Sequence, residues 1–249
     1  MDARVPGPPR VLVVQHEDDC PPALVGTWLT EAGCELDVHR PYTATGEPGA
    51  LLPDPTAYDA VLVLGGSMGA DDDADHAWLG PTKQLLRDAV GAEVPTLGIC
   101  LGHQLLASAL GGRVQVNPRG RTVGLVPVEW TGEASSDPLT GALATPRRGV
   151  HWNNDVVTDL PPGALALART PQGDAEVVRY GPAAWGVQLH PEVDAGVVAR
   201  WAASDDKSAP GVDTAAEVAR IDAARSELDD AWRPLVSSFV AIAGGRAER

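Results

Sequence analysis

The sequence predicts an α/β fold, a mostly parallel central sheet with helices on both faces, and three observations predict it. Short, wholly apolar and β-branched runs recur at Val11–Val14 and Ala60–Leu64, the pattern of strands covered on both sides. Helix-compatible stretches lie between such runs, so the first half of the chain alternates β-α-β-α. Beyond Leu110 the pattern changes to short extended runs, which read as antiparallel additions to the sheet.

In order, Val11-Leu12-Val13-Val14 is a central strand and Ala23 to Ala32 a helix, with Gly33 placed to stop it. Glu35 to Val38 is the second strand and Ala60 to Leu64 the third. Leu79 to Val90 is an amphipathic helix, Val94 to Ile99 a strand, and Gly102 to Leu110 a helix. The later extended runs are Arg113 to Val116, Val123 to Trp130, Leu165 to Arg169, Ala175 to Tyr180 and Ala184 to Leu189. Right-handed crossovers collect the loops of such a sheet at the C-terminal ends of its parallel strands, where sites form. Thr214 to Ala243 is Ala-rich, with Ile221, Leu228, Trp232, Leu235 and Phe239 on one helical face and a break expected near Pro234. The chain is therefore read as one domain over 1–249: a core at 10–203 and a helical extension at 214–243 docked on it. A biased surface connection from Ser204 to Asp213 joins them.

A chain of 249 residues with 44% apolar content can bury a substantial core. Its formal charge of −15, with cationic residues scattered, repels polyanions and excludes nucleic acid as a partner. No segment approaches the roughly eighteen apolar residues of a membrane span, and the first residues carry no apolar leader, so the expectation is a soluble protein that is not exported. Cys20, Cys34 and Cys100 leave an odd thiol and lack metal-ligand spacing. A reducing cytoplasm suits them better than a disulfide framework.

The most informative stretch is Gly98-Ile99-Cys100-Leu101-Gly102-His103-Gln104, which ends an apolar run and opens a helical one. Small residues at 98 and 102 let a strand reverse into a helix around one side chain, which a Cβ at either position would crowd. Cys100 is thus a candidate nucleophile, although a free buried Cys is commonly inert. A thiol nucleophile needs a base, and His190-Pro191-Glu192 follows the apolar run Trp185 to Leu189. Pro191 ends ladder pairing, and Glu192 is near enough in sequence to hold the imidazole tautomer. At the end of the third strand, Gly65-Gly66-Ser67-Met68-Gly69 frees backbone N–H groups that could bind an oxyanion, although a plain turn would have the same composition.

These three motifs, in this order and strand context, resemble the class I glutamine amidotransferase family, specifically its stand-alone members similar to the glutaminase domain of GMP synthase. The resemblance covers residues 10 to 200. It implies a flavodoxin-like three-layer sandwich in which Cys100 attacks the amide of glutamine or a related γ-glutamyl compound. It further implies that His190 moves the proton, that Glu192 orients His190, and that the backbone N–H groups of Gly66 and Leu101 hold the oxyanion. Gln104 would help position the substrate, and the helix N-terminus would favour the thiolate. No cofactor and no metal are implied, and a synthetase subunit is a partner that the resemblance allows.

Two departures bear on the substrate. Relatives commonly carry Trp-His-Gly-Asp along the amino and carboxylate groups of glutamine, where this chain has Trp152-Asn153-Asn154-Asp155. Thr122, before Val123-Gly124, stands where relatives often place an acid. The cluster Asp71, Asp72, Asp73, Asp75 and His76 is read as a solvated loop or the N-cap of the next helix before it is read as a metal site. His16, His39, His103 and His151 are read as structural, and Cys20 and Cys34 as inert. No phosphate-binding loop is present, so an ammonia acceptor lies elsewhere or does not exist. A stand-alone γ-glutamyl hydrolase or peptidase therefore remains beside the amidotransferase reading. Behind both stand a non-enzymatic binding protein and the related cysteine-elbow chaperones and peptidases.

Overall fold

A computed structural model describes residues 7–43, 52–143, 145, 147–204 and 212–247; of the expected connection between Ser204 and Asp213, residues 205–211 lie outside the described residues. The first half contains β1 (Arg10–Val14), α1 (Ala23–Glu31), β2 (Glu35–His39), β3 (Ala60–Val63), α2 (Leu79–Gly91), β4 (Thr96–Ile99) and α3 (Leu101–Ala109). Seven strands follow: β5 (Arg113–Val116), β6 (Thr122–Trp130), β7 (Arg147–Asn153), β8 (Asp155–Asp159), β9 (Leu165–Arg169), β10 (Ala175–Gly181) and β11 (Ala184–Val187). Three helices come last: α4 (Ala195–Ser204), α5 (Thr214–Ala223) and α6 (Arg225–Ala247).

Nine strands form one sheet in the order β2-β1-β3-β4-β11-β10-β9-β6-β7. The first five are parallel, and β10, β9, β6 and β7 extend the sheet antiparallel. The fold is the flavodoxin-like α/β sandwich. Its layers follow from the two-residue period of a strand. On β1, Val11 and Val13 enter one core and Leu12 and Val14 the other; on β3 and the residue after it, Leu62 and Leu64 oppose Val61 and Val63. The first core is closed by Val25, Trp28 and Leu29 of α1 and by apolar residues of α4, α5 and α6. The second is closed by Leu79, Leu85 and Leu86 of α2 and Leu101, Leu105 and Leu106 of α3.

Four expectations are corrected. Ala184–Val187 is a fifth parallel strand: β10 and β11 form a tight hairpin with Gly181 opposite Ala184, so the chain reverses once and β11 returns alongside β4. Arg113–Val116 leaves the main sheet and pairs with β8 in a separate two-stranded ladder. The helical break falls at Ala224, and α6 runs through Pro234. A proline costs a helix interior about 3 kcal/mol, but Trp232, Leu235, Val236 and Phe239 are buried on that turn and the next, and each large side chain contributes roughly 1.5–3 kcal/mol. The acidic cluster does not cap α2, whose N-cap position is Trp78 with no side-chain cap. No helix among the described residues is long and apolar enough to cross a membrane.

The neighbours of β1 lie on opposite sides of it, β2 on one and β3 on the other, which opens a crevice beyond the C-terminal ends of the strands. The loops after β1 and β3, the end of β4 and the end of β11 all meet that rim.

Candidate active site

The β4–α3 junction consists of one residue. Cys100 has φ 50° and ψ −105°, a strained conformation for a residue with a Cβ, of the kind that costs about 1–3 kcal/mol and persists only where the surroundings enforce it. Here Cys100 N donates to Val187 O at 2.8 Å and Gly102 N to Leu64 O at 3.1 Å. A Cβ on Gly102 would stand 2.1 Å from the Val63 carbonyl oxygen, and one on Gly98 2.5 Å from the Gly102 carbonyl. Glycine at both positions is what allows β3, β4 and the first turn of α3 to meet around the thiol.

His190 is carried to the same rim by β11. Its N–H donates to Val150 O at 2.8 Å, and Glu192 O accepts from Leu24 N at 3.0 Å, so β7 and α1 fix the segment from both sides. Nδ1 of His190 lies 2.7 Å from Glu192 Oε1, with both side chains buried. A carboxylate only accepts, so Nδ1 carries the proton. A Cβ on Gly65 would lie 3.1 Å from His190 Cε1 and 3.6 Å from Cys100 Cβ, so the two side chains converge over bare backbone. Burial alone would lower the imidazole pKa, but the charges and hydrogen bonds of Cys100 and Glu192 outweigh it and push it up to about 10. The imidazolium is the form these neighbours favour.

A cavity of about 600 Å³ opens at this point, within the usual range of about 300–1,000 Å³ for small-molecule sites. Cys100, His190, Gly66, Gln104 and the segment Asn153 to Asp155 line it. Glu192 and Leu101 stand one layer behind, Glu192 against His190 and Leu101 as the first residue of α3, where its N–H has no acceptor within the helix. Gln104 Nε2 donates to Asp155 O at 3.0 Å and to Gln188 Oε1 at 3.1 Å. Asn153 Nδ2 donates to Asp155 O at 3.0 Å, while its buried Oδ1 has no partner among the described residues. Asn154 Nδ2 reaches Asp155 Oδ1 at 3.2 Å.

Sequence reasoning missed three residues here, Gln188, Trp201 and Arg121. Gln188 donates Nε2 to Cys100 Sγ at 3.6 Å; a polar residue inside the apolar run Trp185 to Leu189 was the signal. Trp201 of α4 meets the His190 ring edge-on, centroids 4.7 Å apart, and donates Nε1 to Asp19 O at 2.8 Å. Arg121 lines the cavity and lies 5.4 Å over the Trp152 ring. His16, whose pKa burial lowers to about 3, accepts from Trp78 Nε1 at 3.2 Å and packs beneath Gly66.

Several of the other titratable groups that the sequence singled out have local partners. Lys83 pairs with Asp73 at 2.6 Å, Ser108 donates to Asp71 at 2.7 Å, and Gly69 N donates to Asp72 Oδ2 at 2.7 Å. His103 is fully buried, with Nδ1 at 3.1 Å from Tyr180 Oη, and burial lowers its pKa to about 3. His151 pairs with Glu176 at 2.7 Å in the interior.

Known proteins resemble this chain in sequence and in fold. A sequence profile described as glutamine amidotransferase class-I matches residues 25–200. The glutamine amidotransferase-like protein YfeJ of Salmonella typhimurium is 30% identical over 186 residues, 74% of this chain and 75% of that protein. A glutamine-hydrolyzing GMP synthase subunit from Halobacterium salinarum is 37% identical over 135 residues, 50% of this chain and 69% of its own length. The crystal structure of a glutamine amidotransferase from Thermotoga maritima superimposes with a TM-score of 0.80 at 27% identity, covering 93% of this chain and 97% of that one.

Proposed function

Because the chain belongs to the class-I glutamine amidotransferase family, we propose that Cys100 hydrolyses the side-chain amide of glutamine, or of a related γ-glutamyl compound, through a γ-glutamyl thioester. The observation that carries this reading is the 2.7 Å His190–Glu192 pair set beside a thiol on a one-residue elbow, at the floor of a cavity. The sulfur adds to the amide carbon, and negative charge develops on the carbonyl oxygen. In this reading the N–H groups of Gly66 and Leu101 hold that charge, and each such donor is typically worth about 2.7–4 kcal/mol in the transition state. His190 gives its proton to the departing nitrogen, the C–N bond breaks, and the acyl group stays on sulfur. Water, deprotonated by His190, then attacks the thioester and releases the γ-carboxylate.

The glutamyl end has its own groups. Both N–H bonds of the Gln104 amide are used within the protein, so its oxygen is the atom it offers. Together with the unpartnered Asn153 Oδ1 it supplies acceptors for an α-ammonium, while Arg121 in the same wall suits an α-carboxylate. The whole chain acts as one domain in this reading, since α5 and α6 close the core that lies beneath β1, β3 and β11.

A second reading differs only in the leaving group: a stand-alone γ-glutamyl hydrolase, favoured by Asn153 and Asn154 where relatives carry His-Gly. The Halobacterium relative bears the name of part of a synthase, and on that analogy the ammonia would serve a synthetase partner. Incubation with L-glutamine and a panel of γ-glutamyl amides, with glutamate release compared between wild type and Cys100→Ala, tests the proposal. Glutamate formation that disappears in the variant is expected. Formation that persists in it, or none with any compound together with no alkylation of Cys100 by a glutamine-like chloroketone, would leave only a binding role.

A further inference from the structure

We propose that the amide cleaved at Cys100 bears a cationic amine as its leaving group, so that the substrate is a γ-glutamyl amide of an aliphatic diamine or polyamine. The inference rests on the γ-glutamyl amidohydrolase reading and adds the class of the nitrogen half. It comes from the wall of the cavity. Glu17, Asp19, Asp72 and Asp155 contribute carboxylates to the lining, and Arg121 is the only Lys or Arg among the described residues there.

Position matters as much as charge. His190 delivers the proton to the leaving nitrogen, so that nitrogen departs from the His190 face of the site. The neighbour on that face is Trp201, edge-on to the imidazole at 4.7 Å. Its indole N–H is fastened to the Asp19 carbonyl at 2.8 Å, which brings the loop carrying Glu17 and Asp19 against the same side. An indole beside carboxylates is a favourable surface for an ammonium group.

Two of these carboxylates, Glu17 and Asp72, accept only from uncharged groups among the described residues. Glu17 accepts from two uncharged donors, Cys20 Sγ at 3.2 Å and Ser67 Oγ at 2.8 Å. Asp72 accepts from a backbone N–H. Neither makes an ion pair with a Lys or Arg among the described residues, and Asp19 has only the distant Arg200 at 3.9 Å. Burial first, then the Glu17 charge, pushes the Cys20 thiol up, in keeping with a locally negative potential. Ammonia as product makes no use of such a wall, and an anionic leaving group would be repelled by it. The reaction balances as amide plus water giving the γ-carboxylate and the free amine. The C–N bond breaks with the His190 proton passing to nitrogen, the C–S bond breaks on attack by water, and the distal ammonium keeps its charge throughout.

The test compares kcat/KM for γ-glutamyl putrescine, the isosteric neutral γ-glutamyl butylamide, the anionic γ-glutamyl amide of γ-aminobutyrate, and L-glutamine. The cationic amide should exceed the neutral one by about tenfold or more, as a charge-assisted contact warrants, mainly through KM. The advantage should shrink as salt is raised and fall towards unity in Glu17→Gln and in Asp19→Asn. Equal rates for the cationic and neutral amides, a preference for the anionic one, or cleavage of L-glutamine alone would overturn the inference while leaving the hydrolase reading intact. If no compound releases glutamate and no chloroketone labels Cys100, it is the hydrolase reading that fails.

Discussion

Gln188 Nε2 lies 3.6 Å from Cys100 Sγ, and the oxygen of the same amide accepts from Gln104 at 3.1 Å. The two glutamines therefore link the sulfur to the cavity wall at Asp155, whose carbonyl takes the other N–H of Gln104 at 3.0 Å. Replacing Gln188 by Met keeps the volume and removes the donor. We expect kcat/KM for a γ-glutamyl amide to fall about tenfold, the size of one charge-assisted hydrogen bond. Alkylation of Cys100 by iodoacetamide at fixed pH should slow in parallel, and an unchanged alkylation rate would reduce the contact to packing.

The His190 imidazole, held up to about 10 by Cys100 and Glu192 against the effect of burial, links protonation to folding. Its folded pKa lies above the unfolded value of about 6.5, so its contribution to stability is fully present below that value. The contribution is lost as pH rises towards 10. Urea titrations at intervals across this window should show stability falling with pH in wild type and a shallower fall in Cys100→Ala, where one source of the shift is gone. NMR titration of the His190 ring checks it directly: a midpoint unmoved by Cys100→Ala would refute the coupling.

Glu192→Gln keeps a group beside Nδ1 but removes the charge and admits the wrong imidazole tautomer. A fall in kcat of about 10²- to 10⁴-fold with little change in KM is expected. The Glu192 backbone bond to Leu24 does not depend on the side chain, so the segment should stay in place. Circular dichroism and steady-state kinetics on the same preparation separate the two effects. A variant with wild-type kcat would remove Glu192 from the mechanism.

Gly102→Ala places a Cβ 2.1 Å from the Val63 carbonyl oxygen and 2.8 Å from its carbon, which are strand backbone and cannot yield as a flexible side chain would. Overpacking of this kind costs about 1–3 kcal/mol, which should appear as a lower urea midpoint, and the displaced elbow should lose activity beyond the loss of folded protein. Gly111→Ala serves as a comparison, since a Cβ there meets nothing within 4 Å although its φ is +92°. If Gly102→Ala costs no more than Gly111→Ala, whose strain is one of backbone conformation alone, the close approach of β3 does not hold the elbow.

The parallel half of the fold was legible because its strands are buried on both faces: Val11 to Val14 and Ala60 to Val63 are apolar at every position, a pattern that short helices and loops seldom produce. The second half was less legible. β7 begins Arg147-Arg148 and mixes His151, Trp152 and Asn153 into a half-buried strand, so no period of two stands out. β11 could be seen as a strand, yet its direction depends on a hairpin with β10 that only tertiary pairing reveals. The motif residues at 65–69, 98–102 and 190–192 were visible because each combines special backbone with reactive or polar chemistry, whereas Gln104 and residues 153–155 were named only through the family resemblance. Arg121, Trp201 and Glu17 were not, since a loop Arg, an apolar-face Trp and a loop Glu look ordinary until the fold gathers them around one cavity.

With Ile99 still in β4 and Leu101 already in α3, the sulfur has no stretch of loop on which to travel. Any partner that times turnover must therefore work on the surroundings and not on the nucleophile. It would act by shifting the glycine segment after β3, or by prising Trp201 off the Asp19 carbonyl and so loosening the backing of the imidazole. Control of such a catalyst is a matter of opening and shutting its chamber around a stationary sulfur.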